Sequence, residues 1–269
     1  MTSQEYSDER ELKDVERLAR TLGVEIGEVK ESGDEANFVG IRSEQILVSK
    51  RLDSQTVFVH DESFGGDGGS FGGSDDELIE ISRRVLEELG VPSSEIGEPA
   101  IAHEATQAAQ VDQEGRIISM EDPEQRRRVA RLPRAIEGMP VWSSELVLAL
   151  TERGRPGFLQ LHWPELSSEV VQEARRLRHK VEKGWRPPAQ PGATVESVEA
   201  GIIHSPAVGF VMDVYAAIRV IYKPRRKTIG RKLMLHFDRH GKTVPAPRQF
   251  DLPPDQPTGP RKKPRAPRG

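Results

Sequence analysis

Cysteine is absent from this chain of 269 residues, and aromatic residues make up only 5% of it. The lack of cysteine excludes disulfide bonds, zinc–thiolate sites and thiol catalysis. With few aromatics and 35% apolar residues, the composition favours several modest cores over one large core. No apolar run approaches the roughly 20 residues of a membrane-spanning helix. The start, MTSQEYSDERELKD, has no apolar signal-peptide core, so we expect a cytoplasmic protein without membrane contact.

The net charge of −4 conceals opposite charges in the two parts of the chain. Residues 1–100 carry 24 acidic and 10 basic side chains, whereas residues 101–269 carry 19 acidic and 29 basic ones. Such parts can attract each other, or each can face its own partner. Two ordinary solvated surfaces would have the same composition, because charge governs association and not fold.

Three segments have helical periodicity, and strand-like alternation follows each. The helices are predicted in ERELKDVERLARTLGV, DDELIEISRRVLEELGVP and SSEVVQEARRLRHKVEKGW, each ending at a glycine. Ser74, Asp75 and Asp76 offer cap oxygens to the second helix, and Ser167 or Ser168 is expected to cap the third. The clearest strand runs from Val214 to Tyr222, where apolar residues occupy every second position. We therefore predict an α+β fold made of serial modules, each with one helix packed on a small antiparallel sheet.

The predicted modules are separated by a glycine-rich segment. A helix with a small sheet is expected in 1–62, a linker in 63–75, a second module in 76–166, a third in 167–250 and a disordered basic tail in 251–269. The linker contains FGGDGGSFGG, which predicts a mobile hinge at 63–74. A phosphate-binding loop is the alternative, but that loop needs a lysine that the segment lacks.

The segment from Glu137 to Gly154 raises the question of catalysis, because paired serines follow a tryptophan. In an extended strand Ser143 and Ser144 fall on opposite faces, so they cannot form one site. A nucleophilic serine also favours a sharp strand-to-helix turn flanked by glycines. We expect Pro140 to fix a turn and the following residues to form a scaffold strand with no catalytic residue.

The residues VARLPRAIEGMPVWSSELVLALTERGR, from Val129 to Arg155, resemble the propeptide region of thermolysin-type and fungalysin-type metalloproteases. The last unit, with a helix, the strand Val214–Tyr222 and LMLHFDRHGKTVP, is similar to the PepSY module of those propeptides. The resemblance covers about residues 76–250 and no protease domain follows. It implies helix-on-sheet modules that inhibit or chaperone a protein partner, without catalysis and without a cofactor.

Two histidine-containing segments are candidate metal sites. His103 and Glu104 begin like a zincin helix, but Gln107 stands where the second histidine is needed. His236, Asp238 and His240 could share one side of a strand and hold a metal. A hairpin turn at Asp238–Gly241 is the favoured alternative, and it would turn His240 away.

Basic residues near the end of the chain are candidate contacts with a partner, although a solvated hairpin loop and a solubilising tail are the favoured interpretation. They lie at Lys223, Arg225, Arg226, Lys227 and Arg231, and Trp142 is added as a candidate contact because aromatics are rare here. The leading function is a non-catalytic protein-binding protein. The alternative is association with nucleic acid or another polyanion through residues 223–232 and the tail, because basic clusters neutralise phosphates.

Overall fold

A computed structural model describes residues 12–13, 15–24, 28–31, 38–42, 45–51, 55–61, 64, 71–106, 109–112, 116–122, 124–205, 213–225 and 232–244. Most of the predicted hinge at 63–74, all of the tail at 251–269 and the basic residues Arg226, Lys227 and Arg231 lie outside these residues.

Helices are the minor component of the described residues. Helix α1 comprises the helical residues 12–13 and 15–21, α2 is Asp75–Glu88 and α3 is Ser168–Glu182, with a 3-10 turn at Ser93–Glu95. The strands are β1 Glu28–Glu31, β2 Phe38–Arg42, β3 Ile46–Arg51, β4 Thr56–Asp61, β5 Ala100–Thr106, β6 Ala109–Val111, β7 Ile117–Met120, β8 Glu124–Ile136, β9 Met139–Leu150, β10 Pro156–His162, β11 Ala193–Ser205, β12 Asp213–Pro224, β13 Leu233–Phe237 and β14 Thr243–Val244.

Twelve of the strands form one sheet that branches at β9. On one edge β9 pairs with β8, which pairs with β5. On the other edge the second half of β9 pairs with β10, and its first residues pair in parallel with β11. From β10 the sheet continues through β4, β3, β2 and β1, and from β11 through β12, β13 and β14. Strands β10 and β11 therefore approach each other end to end along the same edge of β9.

This topology overturns the predicted α+β fold of serial helix-on-sheet modules. The fold is mostly β. The predicted modules are also not separate, because β4, from the first, is hydrogen-bonded to β10, from the second. One apolar core also joins both segments, with Val59 of β4 and Leu18 of α1 in the same cluster as Leu78 of α2 and Leu159 of β10. Local periodicity identified helices and strands, but pairing between distant strands determines whether modules close on themselves.

All three helices pack on the same face of the sheet. Leu18 of α1 and Leu78 of α2 lie in one cluster with Leu146 of β9, and Ala174 of α3 packs with Val141 of β9. Register places Leu146 opposite Leu132, and Val141 opposite Arg134, two residues further along β8. Because residues i and i+2 share a face of a strand, α2 and α3 are on one side. We call the other side, which carries no helix among the described residues, the open face.

The predicted helix ends are confirmed. Ser74 caps α2 through a capping box with Glu77, whose backbone N–H donates to Ser74 Oγ while its carboxylate accepts from the Ser74 backbone. Beyond the helices, Gly23, Gly90 and Gly184 have φ of 67°, 80° and 87°. That left-handed conformation suits glycine because it has no Cβ.

The turn and the strand of the segment 137–154 differ from the sequence prediction. The turn is made by Glu137 and Gly138, at φ of 52° and 76°, and Pro140 lies within β9 opposite Ala135. A bulge follows, because the register with β8 shifts between Pro133 and Arg134. Ser143 there has a φ of 69°. The bulge separates the part of β9 that pairs with β11 from the part that pairs with β10.

None of the helices among the described residues is long and apolar enough to cross a bilayer.

Candidate binding surface and two buried polar clusters

The gap between the ends of β10 and β11 contains a chain of buried polar groups. Thr56 Oγ1 lies 3.0 Å from His162 Nδ1, and His162 Nε2 lies 2.8 Å from His204 Nδ1. Ser144 Oγ donates to the backbone oxygen of His162 at 2.8 Å. These four side chains are at most 1% exposed. The chain therefore links strands β4, β9, β10 and β11 where the sheet branches, and leaves Ser144 inaccessible to a substrate.

Arg134 extends this cluster on the helix side. Its guanidinium pairs with Glu95 at 2.8 Å, donates to the backbone oxygen of Pro164 and lies over the ring of Trp163. Arg134 is 6% exposed, and this burial lowers its pKa, although Glu95 opposes the shift. Burial, assisted by the charge of Arg134, also lowers the pKa of His204 from 6.5 to about 4. His204 is therefore neutral at pH 7, and the cluster acts as a polar joint in the core.

A second buried cluster lies on the open face of β9, β12 and β13. Trp142 and His236 meet edge to face with ring centroids 5.2 Å apart. Arg219 lies over Trp142, 4.7 Å from the ring centroid, and pairs with Glu199. No described residue hydrogen-bonds to either ring nitrogen of His236 or to Trp142 Nε1. Burial and the charge of Arg219 lower the pKa of His236 to about 4.

Trp142 is 8% exposed, so the structure places this predicted partner contact in the core. Its neighbours there are Ile203, Ala217, Tyr215 and Val244. The rarity of aromatic residues identified Trp142 as notable, but the curvature of the sheet buries it. Sequence periodicity alone does not reveal which strand face is covered.

The structure does not bring the three predicted metal candidates together. His236 lies in β13, whereas Asp238 and His240 belong to the following turn. In that turn the backbone N–H of Gly241 donates to the backbone oxygen of Asp238 at 3.0 Å. The Asp238 carboxylate accepts from the backbones of His240 and Lys242, and these bonds lower its pKa despite the opposing effect of desolvation. No group of three metal-ligating side chains occurs among the described residues.

The zincin-like residues also point to separate partners. His103 Nε2 lies 3.8 Å from Asp75, and Glu104 pairs with Arg127. Both are in β5 and not on a helix, so the spacing of the zincin motif has no structural meaning here.

The most accessible apolar surface is a hairpin that sequence reasoning missed. We call β6 and β7 with their flanks, residues 109–112 and 116–122, the hairpin arm. It continues the β5–β8 ladder beyond the main sheet as a separate two-stranded ribbon. The exposed fractions are 58% for Val111, 49% for Ile117, 67% for Ile118 and 55% for Met120.

The hairpin arm has one apolar and one polar face. Ala109 pairs with Met120, and Val111 pairs with Ile117, with a register shift that leaves Ile118 as an extra residue between the pairs. Ala109 and Val111 share a face, and the shift brings Ile117 to the same side as Met120. On the other side Ser119 Oγ donates to Gln110 Oε1 at 3.2 Å. The apolar residues Ile117, Ile118 and Met120 were a signal for a strand here, but such a short apolar run normally indicates a strand that the fold covers.

The remaining exposed large apolar residues that the structure describes lie beside the basic segment. Val195 of β11 and Leu233 and Met234 of β13 are 44%, 43% and 45% exposed. Lys223, Arg225 and Lys232 lie around them; Lys223 and Arg225 are exposed, and Lys232 pairs with Glu196 at 2.7 Å. Val195 and Leu233 share one face of the sheet with Tyr222, whereas Met234 lies on the other face of β13. We call these six residues, which lie on both faces around the start of β13, the basic-rimmed patch. Two of the predicted partner contacts, Lys223 and Arg225, therefore do lie at the surface.

Comparison with known proteins yields only distant structural similarities. No family model matches the chain, and no curated protein matches it. An uncharacterized protein from Eubacterium rectale has a TM-score of 0.44 at 13% identity, covering 87% of this chain and 81% of that one. The Bacillus megaterium YpeB C-terminal domain has a TM-score of 0.38 at 9% identity, covering 84% and 91%. TM-scores below 0.5 establish neither a common fold nor a shared function.

Proposed function

We propose that this protein is a non-catalytic binding protein that engages a protein partner through the apolar face of the hairpin arm. The observation that carries the proposal is the exposure of Val111, Ile117 and Met120 on one side of a ribbon that no other described strand pairs with. A contiguous apolar surface of this kind is costly to leave in water, and it is typical of an interaction site.

The buried polar groups support a binding role over a catalytic one. The chain from Thr56 through His162 to His204 is enclosed at the branch of the sheet. Ser144 serves the backbone of His162. Hydrogen bonds among these groups link the strands at the joint, although His204 Nε2 has no hydrogen-bond partner among the described residues.

The resemblance to protease propeptides favours an inhibitory or chaperone-like relation to that partner. If the protein acts in that way, adding it in excess to a thermolysin-type protease is expected to slow peptide hydrolysis. A variant with Ile117→Ser and Met120→Ser is expected to lose this effect. Equal inhibition by the variant would locate the inhibitory contact elsewhere.

Photo-cross-linking in the producing cell tests the proposed surface directly. A photoreactive amino acid at Ile118, which is 67% exposed, is expected to give a discrete adduct with a protein. The matched control places it at Glu88, an exposed position on α2. Adducts at Glu88 equal to those at Ile118, or none at Ile118, would reject the hairpin arm as a binding surface.

A second candidate function is polyanion association through the basic segment. It is favoured by the exposed positions of Lys223 and Arg225 at the end of β12. Binding to heparin or DNA would then weaken steeply as salt rises, because counterions are released from the phosphates or sulfates. Binding that is unaffected by Lys223→Glu with Arg225→Glu and by removal of 251–269 would reject this alternative.

A further inference from the structure

The seven exposed large apolar side chains in the described part of the chain fall into only two groups. Four lie on the hairpin arm and three in the basic-rimmed patch. Exposing either group to water is unfavourable for a monomer, and exposed apolar groups with polar rims are typical of interfaces. Two such surfaces on one chain raise the question of whether they fit each other.

The two surfaces have rims of opposite charge. On the hairpin arm the described charged side chains are Asp112, Glu121, Asp122 and Arg116, a balance of −2. On the basic-rimmed patch they are Lys223, Arg225 and Lys232, a balance of +3, with Lys232 paired to Glu196. Rims of opposite charge attract each other. They favour contact between a hairpin arm and a basic-rimmed patch over contact between two surfaces of the same kind. Two hairpin arms facing each other would instead bring two acidic rims together.

The two surfaces lie beyond opposite ends of β9. Pairing of Ala130 with Leu148 sends the start of β8, and with it the hairpin arm, past the C-terminal end of β9. Pairing of Ile202 with Val141 places Val195 past the N-terminal end of β9. The 12 residues of β9 span roughly 40 Å at ~3.3 Å per residue. One molecule therefore presents the two surfaces at opposite ends.

The basic-rimmed patch also includes an open strand edge. The last strand, β14, pairs with β13 only at His236 and Phe237. The edge at Leu233–Leu235 has no paired strand among the described residues. Such an edge presents backbone donors and acceptors that a ribbon from another molecule can meet.

From these observations we propose that the hairpin arm of one molecule docks on the basic-rimmed patch of a second copy, in a head-to-tail contact. The inference rests on the proposed binding role of the hairpin arm and names its partner. The contact is heterologous, so each copy keeps one free hairpin arm and one free patch. Repetition of the contact generates a ring or an open chain.

The experiment measures the association of the full-length protein by sedimentation and light scattering. The small apolar face indicates a weak interface, so the range extends from about 10 μM to 1 mM. The wild-type protein is expected to associate with rising concentration, and less so at high salt because the rims are charged. A wild-type protein that stays monomeric throughout would overturn the proposal.

Two variants separate the two halves of the contact. Ile117→Ser with Met120→Ser removes two large apolar side chains from the apolar face of the hairpin arm. Leu233→Ser with Met234→Ser removes the exposed apolar side chains from both faces of β13 in the patch. Each is expected to weaken association by about tenfold or more, because burial of one large apolar side chain is worth at least that factor. All four positions are exposed, so the fold should persist.

Mixing the two variants distinguishes head-to-tail contact from any symmetric one. The patch variant keeps an intact hairpin arm and the arm variant keeps an intact patch, so an equimolar mixture is expected to form dimers that grow no further. A mixture that stays monomeric, or a single variant that associates like the wild type, would contradict the proposal.

A charge exchange gives a test that does not depend on removing apolar side chains. Glu121→Lys with Asp122→Lys, and separately Lys223→Glu with Arg225→Glu, are each expected to weaken association. Both pairs in one chain are expected to restore it, since the rims again have opposite signs. Failure of the combined chain to recover any association would contradict the assigned pairing.

The cross-link at Ile118 separates failure of this inference from failure of the proposed function. An adduct with the mass of two copies supports both. An adduct with a different protein, together with a monomeric wild type, overturns self-association and leaves the hairpin arm as a binding surface. No adduct in the cell or with the purified protein overturns both.

Discussion

The side chain of Ser144 belongs to the scaffold of the sheet. Its hydroxyl donates to the backbone oxygen of His162, and Ser144 is 1% exposed. The sequence placed Ser143 and Ser144 on opposite faces of a regular strand, whereas the structure places a bulge with a positive φ at Ser143. Only the tertiary structure supplies the partner of Ser144.

Ser144→Ala is expected to lower the free energy of unfolding by about 1–3 kcal/mol, because it leaves a buried carbonyl without its donor. Urea unfolding measures this, with Ser94→Ala at an exposed position as the control. The folded variant should retain the Ile118 cross-link. Loss of the cross-link without loss of stability would show that the hydroxyl has a functional role.

The buried His236 makes stability depend on pH. Its pKa is about 4 in the folded protein against 6.5 as the ordinary value. Below pH 6.5 the unfolded chain binds a proton that the folded protein does not, so the free energy of unfolding falls as pH drops from 6.5 towards 4. His204, with its pKa also at about 4, acts in the same direction.

His236→Phe is expected to flatten this decline and to leave stability at pH 7.5 unchanged or raised. Phenylalanine keeps the edge contact with Trp142 and removes two buried ring nitrogens to which no described residue hydrogen-bonds. Melting temperatures at pH 7.5 and 5.0 measure the effect. His179→Gln, at an exposed site, is the control. An unchanged pH dependence in His236→Phe would reject the buried neutral state.

At the scale of elements, the contact between β9 and β11 depends on a glycine. A Cβ at Gly201 would lie 2.5 Å from the backbone oxygen of Pro140 and 3.0 Å from the Trp142 ring. The parallel pairing of β11 with β9 involves only Ile202 and Ile203. Because this pairing is so short, close packing at Gly201 is expected to contribute much of the stability of the contact between β9 and β11.

Gly201→Ala is expected to lower the free energy of unfolding by about 1–3 kcal/mol, through a clash with backbone atoms that cannot move aside. Gly72→Ala is the matched control, because a Cβ there meets nothing within 4 Å. Chemical denaturation compares the two. If both variants were equally stable, the approach of β11 to β9 would be looser than the structure has it.

At the scale of the whole molecule, the N-terminal strands belong to the same core as the central ones. Val59 of β4 is fully buried and packs in a cluster with residues of α2, β8, β9 and β10. Strand β4 is also hydrogen-bonded to β10, on the side of β10 opposite to β9. A loss of packing at Val59 should therefore reach beyond the N-terminal strands.

Val59→Ala is expected to cost about 2 kcal/mol, from lost burial and a residual cavity, and to speed hydrogen exchange in β10 as well as in β4. Val111→Ala, at an exposed position of the hairpin arm, should leave both strands unchanged. Exchange that accelerates only in β4 would mean that the N-terminal strands open as a separate unit.

The sequence by itself determined the local elements. Capping residues, helical periodicity and the glycines at 23, 90 and 184 located the helices and their ends, because these signals act within a few residues. The alternation from Val214 to Tyr222 identified the side of β12 that packs in the core, because this signal is also local. The absence of cysteine excluded thiol chemistry without any knowledge of the fold.

Only the tertiary structure decided how the elements combine. Pairing of β11 with β9 joins residues 61 positions apart, and pairing of β4 with β10 joins residues about 100 positions apart. No local pattern encodes such a choice. These pairings buried Trp142, brought His162 to His204, and left the apolar face of the hairpin arm uncovered. A pattern of alternating side chains is the same for a covered and an uncovered strand, so burial had to come from the assembled sheet.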